Sequence, residues 1–246
     1  MYEFAEGVYV ERSDIRFYGV RLETRMAVIP LRNGELLLYS PVWLTDSLRS
    51  ELDRLGRVAF VLSPNKIHNQ TLAEYQAHYP DAAVFAPPGL PERRPDLEFA
   101  GVLGAQPRAE WSDCLDQACT DGNVFFSEIL LFHRRSRTLL VGDLVENLTR
   151  STTSWIGHAV AWPFGIRHRP MASPEFRLYT CDAEAAERSL ARTRDWPIEK
   201  IFLCHGALID SEAKQVFESV CAELAGAARR RGRLARSALA RLAAMQ

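Results

Sequence analysis

Residues 58–70 read VAFVLSPNKIHNQ. The apolar run at 58–62 ends at a Ser-Pro-Asn turn, and polar side chains follow as far as His68 and beyond. A short apolar run that stops at a polar loop is typical of a buried strand that delivers side chains to a site. Two later stretches have the same design, TLLVGDLVEN at 138–147 and IFLCHGALID at 201–210. We therefore predict that three strand ends meet and share one site.

The composition is that of a globular protein. The chain has 246 residues, 47% of them hydrophobic and 25% charged, and a chain of this length buries a large core. A formal net charge of -1 gives no whole-protein attraction to nucleic acid or membrane. The five cysteines are scattered without a C-x-x-C pair, which favours reduced thiols. Because we find neither an apolar signal segment nor an apolar stretch of the ~20 residues that span a bilayer, we expect a cytoplasmic protein.

Hydrophobic patterns and turn residues place the helices and strands. Asn33-Gly34 between two β-rich runs predicts a hairpin over 26–41. Thr45 and Gly56 are suited to begin and end a helix with a leucine face. The further predicted elements are strand 58–62, helix 71–79, strand 82–86, a proline-rich loop at 87–95, a hairpin of strands 124–132 and 138–144, an irregular excursion or lid at 150–177, helix 183–194, strand 201–204 and helix 211–224. This alternation of strands and helices indicates a layered α/β fold.

The C-terminal end differs in character from the rest. We divide the chain into a domain of residues 1–225 and a tail of residues 226–246. The tail has six arginines and no acid, so a helix formed by it could contact an anionic membrane or nucleic acid. Alternatively, its weak apolar stripe packs on the body of the protein or on a second subunit in a homodimer.

The three strand ends carry metal-ligating residue types. Asp143 follows a buried run, where a carboxylate needs a cation, a metal or several N–H donors. His205 and His68 each follow an apolar strand. Taken singly, Asp143 could cap a turn or pair with arginine, and the histidines could be a satisfied core residue and a loop residue. Together they supply imidazole, carboxylate and imidazole, a set suited to Zn, Fe or Mn. Cys204 alternates to the opposite face from His205, which favours a packed thiol.

This order of motifs resembles the metallo-β-lactamase fold superfamily and, more closely, the DUF4336 family. The residues that carry the closer resemblance are Arg25-Met26, Tyr39-Ser40-Pro41-Val42, Leu55-Gly56, Ser63-Pro64-Asn65, FHRRSRTL at 132–139, Gly142-Asp143-Leu144 and His205-Gly206. The resemblance implies a four-layer αββα sandwich, in which two mixed sheets are covered by helices and metals lie at the shared strand ends.

The sequence departs from the superfamily's H-x-H-x-D-H metal motif. Counting from Ser63, the two leading histidine positions fall on Pro64 and Lys66, the aspartate position on His68 and the last histidine position on Asn69. Proline has no side-chain ligand atom, and a lysine ammonium repels a cation. The superfamily's middle histidine is also absent, and Glu128 stands near its position. Glu128 could replace it or could lie on a solvated strand face.

The resemblance therefore implies a degenerate site with at most one metal ion. Its expected ligands are His68, Asp143 and His205, with Glu128 as a further candidate, and its ion is Zn, Fe or Mn or is absent. The expected catalytic residues are Lys66, His68 and Asp143. Lys66 could stabilise an oxyanion or bind an anionic substrate; it could also pair with Asp143 in place of a lost metal, or be an ordinary exposed lysine.

Two functions follow from this hypothesis. The first is a metal-dependent hydrolase of an unknown small-molecule ester, amide or thioester, in which the metal activates water. The alternative is a non-catalytic binding or scaffold protein that kept the fold and lost the metals. Among the remaining histidines, we expect His133 and His78 at the surface and His158 and His168 in the lid.

Overall fold

The computed structural model describes residues 1–17, 20–148 and 169–243, and side chains for all of these except 16–17, 20–22 and 231–243. The predicted positions of His158 and His168, and most of the proposed lid, lie outside the described residues. The strands are β1 (Tyr2–Ala5), β2 (Val8–Phe17), β3 (Val20–Pro30), β4 (Glu35–Tyr39), β5 (Arg57–Leu62), β6 (Ala83–Ala86), β7 (Gly101–Val102), β8 (Leu115–Cys119), β9 (Ile129–His133), β10 (Thr138–Val141) and β11 (Lys200–Leu203). The helices are α1 (Asp46–Leu55), α2 (Leu72–His78), α3 (Leu90–Arg93), α4 (Pro174–Tyr179), α5 (Ala183–Leu190) and α6 (Ala213–Ala243).

The described strands form two mixed sheets. The first sheet has the order β1-β2-β3-β4-β5-β6-β7, antiparallel as far as β4 and parallel from β4 to β7. The second has the order β11-β10-β9-β8, with β10 and β11 parallel. Because β5, β10 and β11 are each parallel to a neighbour and end at polar loops, their carboxyl ends can deliver side chains to one region.

Three apolar layers separate the sheets and helices and confirm the predicted αββα sandwich. The central layer lies between the two sheets and includes Tyr39, Trp111 and Phe202. A second layer joins the first sheet to α1 and α2, and a third joins the second sheet to α4, α5 and α6. Alternation within a strand feeds two layers, since Leu140 faces the other sheet and Val141 faces the helices.

The structure confirms the predicted Asn33-Gly34 turn and the predicted ends of the first helix. Asn33 and Gly34 adopt positive φ values of 67° and 73° in the turn between β3 and β4, a conformation that Asn and Gly tolerate best. Thr45 caps α1 by accepting a hydrogen bond from the Leu48 N–H at 3.2 Å. The Gly56 N–H closes the helix on the Leu52 carbonyl at 2.9 Å.

Other expectations are corrected. The proline-rich loop contains the short helix α3, because Pro91 stands in its first turn, where a missing N–H costs nothing. His133 is not at the surface but only 4% exposed, and its ring lies against Gly7. The strand predicted over 124–132 is shorter in the structure: β9 begins at Ile129, and residues 124–128 are not part of the strand. The N-terminal strands β1 and β2 were not predicted.

The C-terminal helix is longer than the sequence pattern indicated. α6 continues without interruption from Ala213 to Ala243, and its first half packs Phe217, Val220 and Leu224 into the third core layer. No helix within the described ranges combines the length and apolar character needed to cross a bilayer. None of the five cysteines, all of which are described, forms a disulfide.

The aromatic centre of the inter-sheet layer gives a test of this packing. Trp111 is fully buried, with its ring 5.4 Å from those of Phe60 and Phe85, between centroids. We expect Trp111→Ala to lower the free energy of unfolding by about 3–5 kcal/mol, because it leaves a cavity between the sheets. Chemical denaturation measures this. The matched control is Trp43→Ala at a side chain that is 47% exposed; an equal loss in both variants would contradict the packing described.

Candidate metal site

The loops after β5, β10 and β11 bring His68, Asp143 and His205 together. The Nε2 atom of His68 lies 3.2 Å from the Asp143 carboxylate and 3.3 Å from Nε2 of His205. His205 Nε2 lies 3.5 Å from Oδ1 of Asp143. The prediction that three strand ends meet is therefore confirmed, and the three side chains could hold a metal ion.

The spacing of these atoms can be compared with that of metal ligands. Ligand atoms of a tetrahedral zinc ion with bonds of ~2.0–2.1 Å lie ~3.3–3.4 Å apart. The three separations of 3.2, 3.3 and 3.5 Å form a triangle of that size. Three protein ligands of this kind leave one tetrahedral position free. The residues therefore fit a single ion, in agreement with the predicted degenerate site.

Both imidazole rings are oriented by a partner on the first sheet. His205 Nδ1 lies 3.0 Å from the Glu23 carbonyl oxygen, which can only accept, so Nδ1 carries the proton and Nε2 presents a lone pair. Nδ1 of His68 lies 3.0 Å from the Ser40 hydroxyl. A partner of this kind fixes the orientation of a metal-binding histidine. Ser40 has a φ of 59°, a strained conformation for a residue with a side chain.

Burial and charge set the protonation of the three groups. Burial lowers the pKa of His205 to about 4, despite the nearby Asp143 carboxylate, and so keeps the ring neutral. Burial also acts to lower the pKa of His68, but the charge and hydrogen bond of Asp143 outweigh it and raise that pKa. Burial acts to raise the pKa of Asp143, whereas His68, His205 and Asn65 together lower it. The site thus contains an ionised carboxylate and a neutral imidazole around one shared positive charge.

Glu128 lies beneath Asp143, and its two oxygens accept from four donors. Oε1 accepts the N–H groups of Gly142 and Leu144 at 2.9 and 3.2 Å. Oε2 accepts the Asp143 N–H at 2.7 Å and the Asn65 amide at 3.0 Å. Glu128 is not part of the group whose ligand atoms converge. The expected replacement of a histidine ligand finds no support in this geometry; the carboxylate instead holds the turn that carries Asp143.

Asn65 completes this support and was not predicted as a site residue. It is fully buried, and its amide nitrogen donates to Asp143 Oδ2 at 2.8 Å as well as to Glu128. Its side-chain oxygen accepts the Ile67 N–H at 3.1 Å. One asparagine thereby fixes both the aspartate and the loop that carries His68. The buried Ser-Pro-Asn turn was the available signal, since a buried amide needs partners.

Two glycines allow the close backbone approach that the site requires. A Cβ at Gly142 would lie 2.8 Å from Oε2 of Glu128 and 3.0 Å from Cβ of Pro64. Gly206 has a φ of 86° and lies directly against the Asn147 backbone. Side chains at these positions would displace Asp143 or His205, which explains the Gly next to each ligand.

Arg25 ties the His205 loop to the first sheet. Its guanidinium is 3% exposed and donates to the Gly206 carbonyl and to the Glu23 side chain. Because Glu23 also orients His205 through its carbonyl, neighbouring residues of β3 hold both sides of this loop. Sequence reasoning noted Arg25 as part of the resemblance but assigned it no role.

The Lys66 side chain contacts an aromatic ring. Its ammonium lies 4.4 Å from the centroid of the Phe125 ring. Burial, and to a smaller extent the positive charge of Arg93, lowers the pKa of Lys66. The ion pairs of Asp143 are with His68 and His205, so a Lys66–Asp143 pair in place of a metal is not formed. The catalytic role predicted for Lys66 has no support from this position. Cys204 is fully buried between the sheets, as a packed thiol would be.

A cleft of about 80 Å³ opens above the three ligand candidates. It is lined by apolar, polar and acidic side chains that include Val42, Trp43, Ile67, Thr71, Glu146 and Glu175. Burial and the nearby Asp143 raise the pKa of both glutamates. We call this space, with Asp143, Glu146 and Glu175 on its wall, the acidic cleft. Neither glutamate was predicted from the sequence: Glu175 lies in the first turn of α4, and Glu146 follows β10 three residues after Asp143.

Comparison with solved structures places this fold in a known class. The DIM-1 metallo-β-lactamase is 12% identical with a TM-score of 0.60, over 90% of this chain and 96% of that one. The FIM-1 metallo-β-lactamase of Pseudomonas aeruginosa, in its mono-zinc form, is 11% identical with a TM-score of 0.60, over 92% of this chain and 93% of that one. The Flv1 flavodiiron core of Synechocystis sp. PCC6803 is 12% identical with a TM-score of 0.61, over 91% of this chain and 60% of that one.

The chain is therefore a metallo-β-lactamase-fold protein. Within that class, residues 11–175 match a family model described as a domain of unknown function, DUF4336. The match covers more than half of the chain, and the protein belongs to the DUF4336 family. A comparison with curated proteins finds no match.

The role given to Glu128 can be tested by an isosteric substitution. In Glu128→Gln an amide N–H₂ would face donors that now point at a carboxylate oxygen. We expect the free energy of unfolding to fall by about 1–3 kcal/mol and metal affinity to fall ~10–100-fold, because Asp143 loses its support. Denaturation and zinc titration measure the two effects. Glu92→Gln, at an exposed side chain, is the matched control; unchanged stability and affinity in Glu128→Gln would refute the positioning role.

Proposed function

We propose that this protein is a metal-dependent hydrolase that holds one ion through His68, Asp143 and His205. The observation that carries the proposal is the convergence of three ligand atoms at 3.2–3.5 Å on one point at the floor of a cleft. A bound ion of this type supplies Lewis acidity and lowers the pKa of water at neutral pH. Imidazole and carboxylate ligands of this kind suit Zn, Fe or Mn.

The chain's own residues supply the binding and orientation. Asp143 provides the negative charge, and His205 provides a neutral nitrogen whose lone pair faces the site. Ser40 and the Glu23 carbonyl hold the two rings, so little reorganisation is needed when an ion binds. Since the cleft opens directly above these atoms, a substrate carbonyl has access to them. The ester, amide or thioester class proposed for the substrate follows from this chemistry.

Metal content gives the first test. Protein purified without chelators is expected to contain about one ion per chain by inductively coupled plasma mass spectrometry, which also identifies Zn, Fe or Mn. His205→Ala and Asp143→Asn are expected to lose it, because two ligands seldom retain an ion. His78→Ala is the matched control at an exposed histidine of α2. A metal-free wild type, or full occupancy in both site variants, would sink the proposal.

Turnover gives the second test. Zinc-loaded protein is expected to hydrolyse members of a panel of chromogenic esters, thioesters and amides, with activity lost after chelation and restored by zinc. His68→Ala should abolish the restored activity, whereas His78→Ala should keep it. Hydrolysis that is insensitive to both chelation and His68→Ala would show that the reaction does not use this site.

One observation favours the second candidate, a non-catalytic binding or scaffold protein. The ion pair between His68 and Asp143 at 3.2 Å already satisfies the carboxylate with a proton. Pro64 and Asn69, at positions where the superfamily has histidines, offer no imidazole. A properly folded wild type that binds no metal and hydrolyses nothing in the panel would support this function over the first.

A further inference from the structure

One buried acid in the acidic cleft has no side-chain partner among the described residues. Glu146 is only 9% exposed and lines the cleft, and its backbone is fixed by paired hydrogen bonds with Met171 at 2.8 and 2.9 Å. No hydrogen bond or ion pair within the described part of the chain ends on its carboxylate. A buried carboxyl group without a partner is costly. Because Glu146 lines the cleft, a ligand bound there would lie within reach of its carboxylate.

The charge of the cleft defines the kind of ligand. Three carboxylates, those of Asp143, Glu146 and Glu175, line it, and no lysine or arginine is among its described lining residues. A divalent ion at the metal site would leave the ionised cleft with a net charge of about -1, because the two histidine ligands are neutral when they bind a metal. The sequence-based expectation of an anionic substrate held by Lys66 is thus reversed.

We propose that the acidic cleft binds an organic cation, an ammonium group carried by the substrate, with Glu146 as its principal partner. This proposal rests on the proposed hydrolase function, because it names the substrate class of the same site. Glu175, whose carboxylate also accepts from Ser173, adds a second negative charge. Trp43, 47% exposed and part of the lining, offers an aromatic ring of the type that contacts ammonium groups.

A second metal ion explains the same charges less well. Ligand atoms of one ion lie within ~3–4 Å of each other. Among the described residues, the atoms that converge within 4.8 Å belong to His68, Asp143 and His205, and neither Glu146 nor Glu175 joins that group. An ammonium group with its alkyl substituents is larger than a metal ion, and separated carboxylates can each contact a different side of it.

The test compares a charged ligand with an uncharged ligand of the same shape. Choline and 3,3-dimethylbutan-1-ol have the same shape and differ by the positive nitrogen. We expect zinc-loaded protein to bind choline at least ~10-fold more tightly than the alcohol by ligand-observed NMR titration. Chelator-treated protein should bind choline at least as tightly, because removal of a divalent ion makes the cleft more negative. This arm separates the two proposals: charge discrimination without zinc binding would refute the hydrolase and leave the cation site standing.

Variants locate the binding. Glu146→Gln is expected to weaken choline ~10-fold with little change for the alcohol or for zinc affinity, and Glu175→Gln to weaken choline several-fold. Glu92→Gln is the control, and thermal unfolding checks that each variant is folded. If Glu146→Gln does not fold, Glu175→Gln decides the question. Equal binding of the two isosteres, wild-type choline affinity in the folded cleft variants, or a fall in zinc content from two ions to one in Glu146→Gln would overturn the proposal.

Discussion

Three atoms that carry lone pairs cannot face each other in a protein interior without a positive charge among them. His205 presents a lone pair because its other nitrogen donates to a backbone carbonyl, and Asp143 is ionised. The proton on His68 supplies the charge, and a metal ion would supply it equally well. Both solutions require the same placement of the three atoms. The surrounding structure is therefore best understood as the means of holding like-charged or lone-pair atoms 3.2–3.5 Å apart.

The two sheets hold this arrangement jointly. Each histidine approaches from one strand end, but its orienting partner comes from the first sheet. Tyr39 crosses between the sheets to donate to the Ile129 carbonyl at 2.7 Å, next to Glu128, and Arg25 crosses to the Gly206 carbonyl. Because every support is buried and hydrogen-bonded, a shift of one sheet against the other would break several of them at once. The geometry of the site therefore depends on the relative position of the two sheets.

Local sequence signals predicted the parts of this structure that depend on neighbours in the chain. The Asn33-Gly34 turn, the Thr45 cap and the three apolar runs that end at polar loops are such signals, and they predicted a layered α/β fold and the three ligand candidates. The αββα sandwich was predicted from the resemblance to a family. The role of Glu128 was not predictable from spacing, because it depends on backbone N–H groups 14–16 residues away that the fold turns toward it. The position of the Lys66 side chain was not predictable either: Lys66 is close in sequence to His68, and its ammonium lies over the Phe125 ring.

The acidic residues determine the electrostatics of the site. Asp143, Glu146 and Glu175 place three carboxylates in the cleft. A single divalent ion cannot neutralise all three, and no lysine or arginine from the described lining does so. Under the proposed cation binding, bound protons or an organic cation would neutralise the remaining negative charge. Burial raises the pKa of Glu146 and Glu175 in the isolated protein, which favours their neutral forms. A bound ammonium group would favour their ionised forms instead.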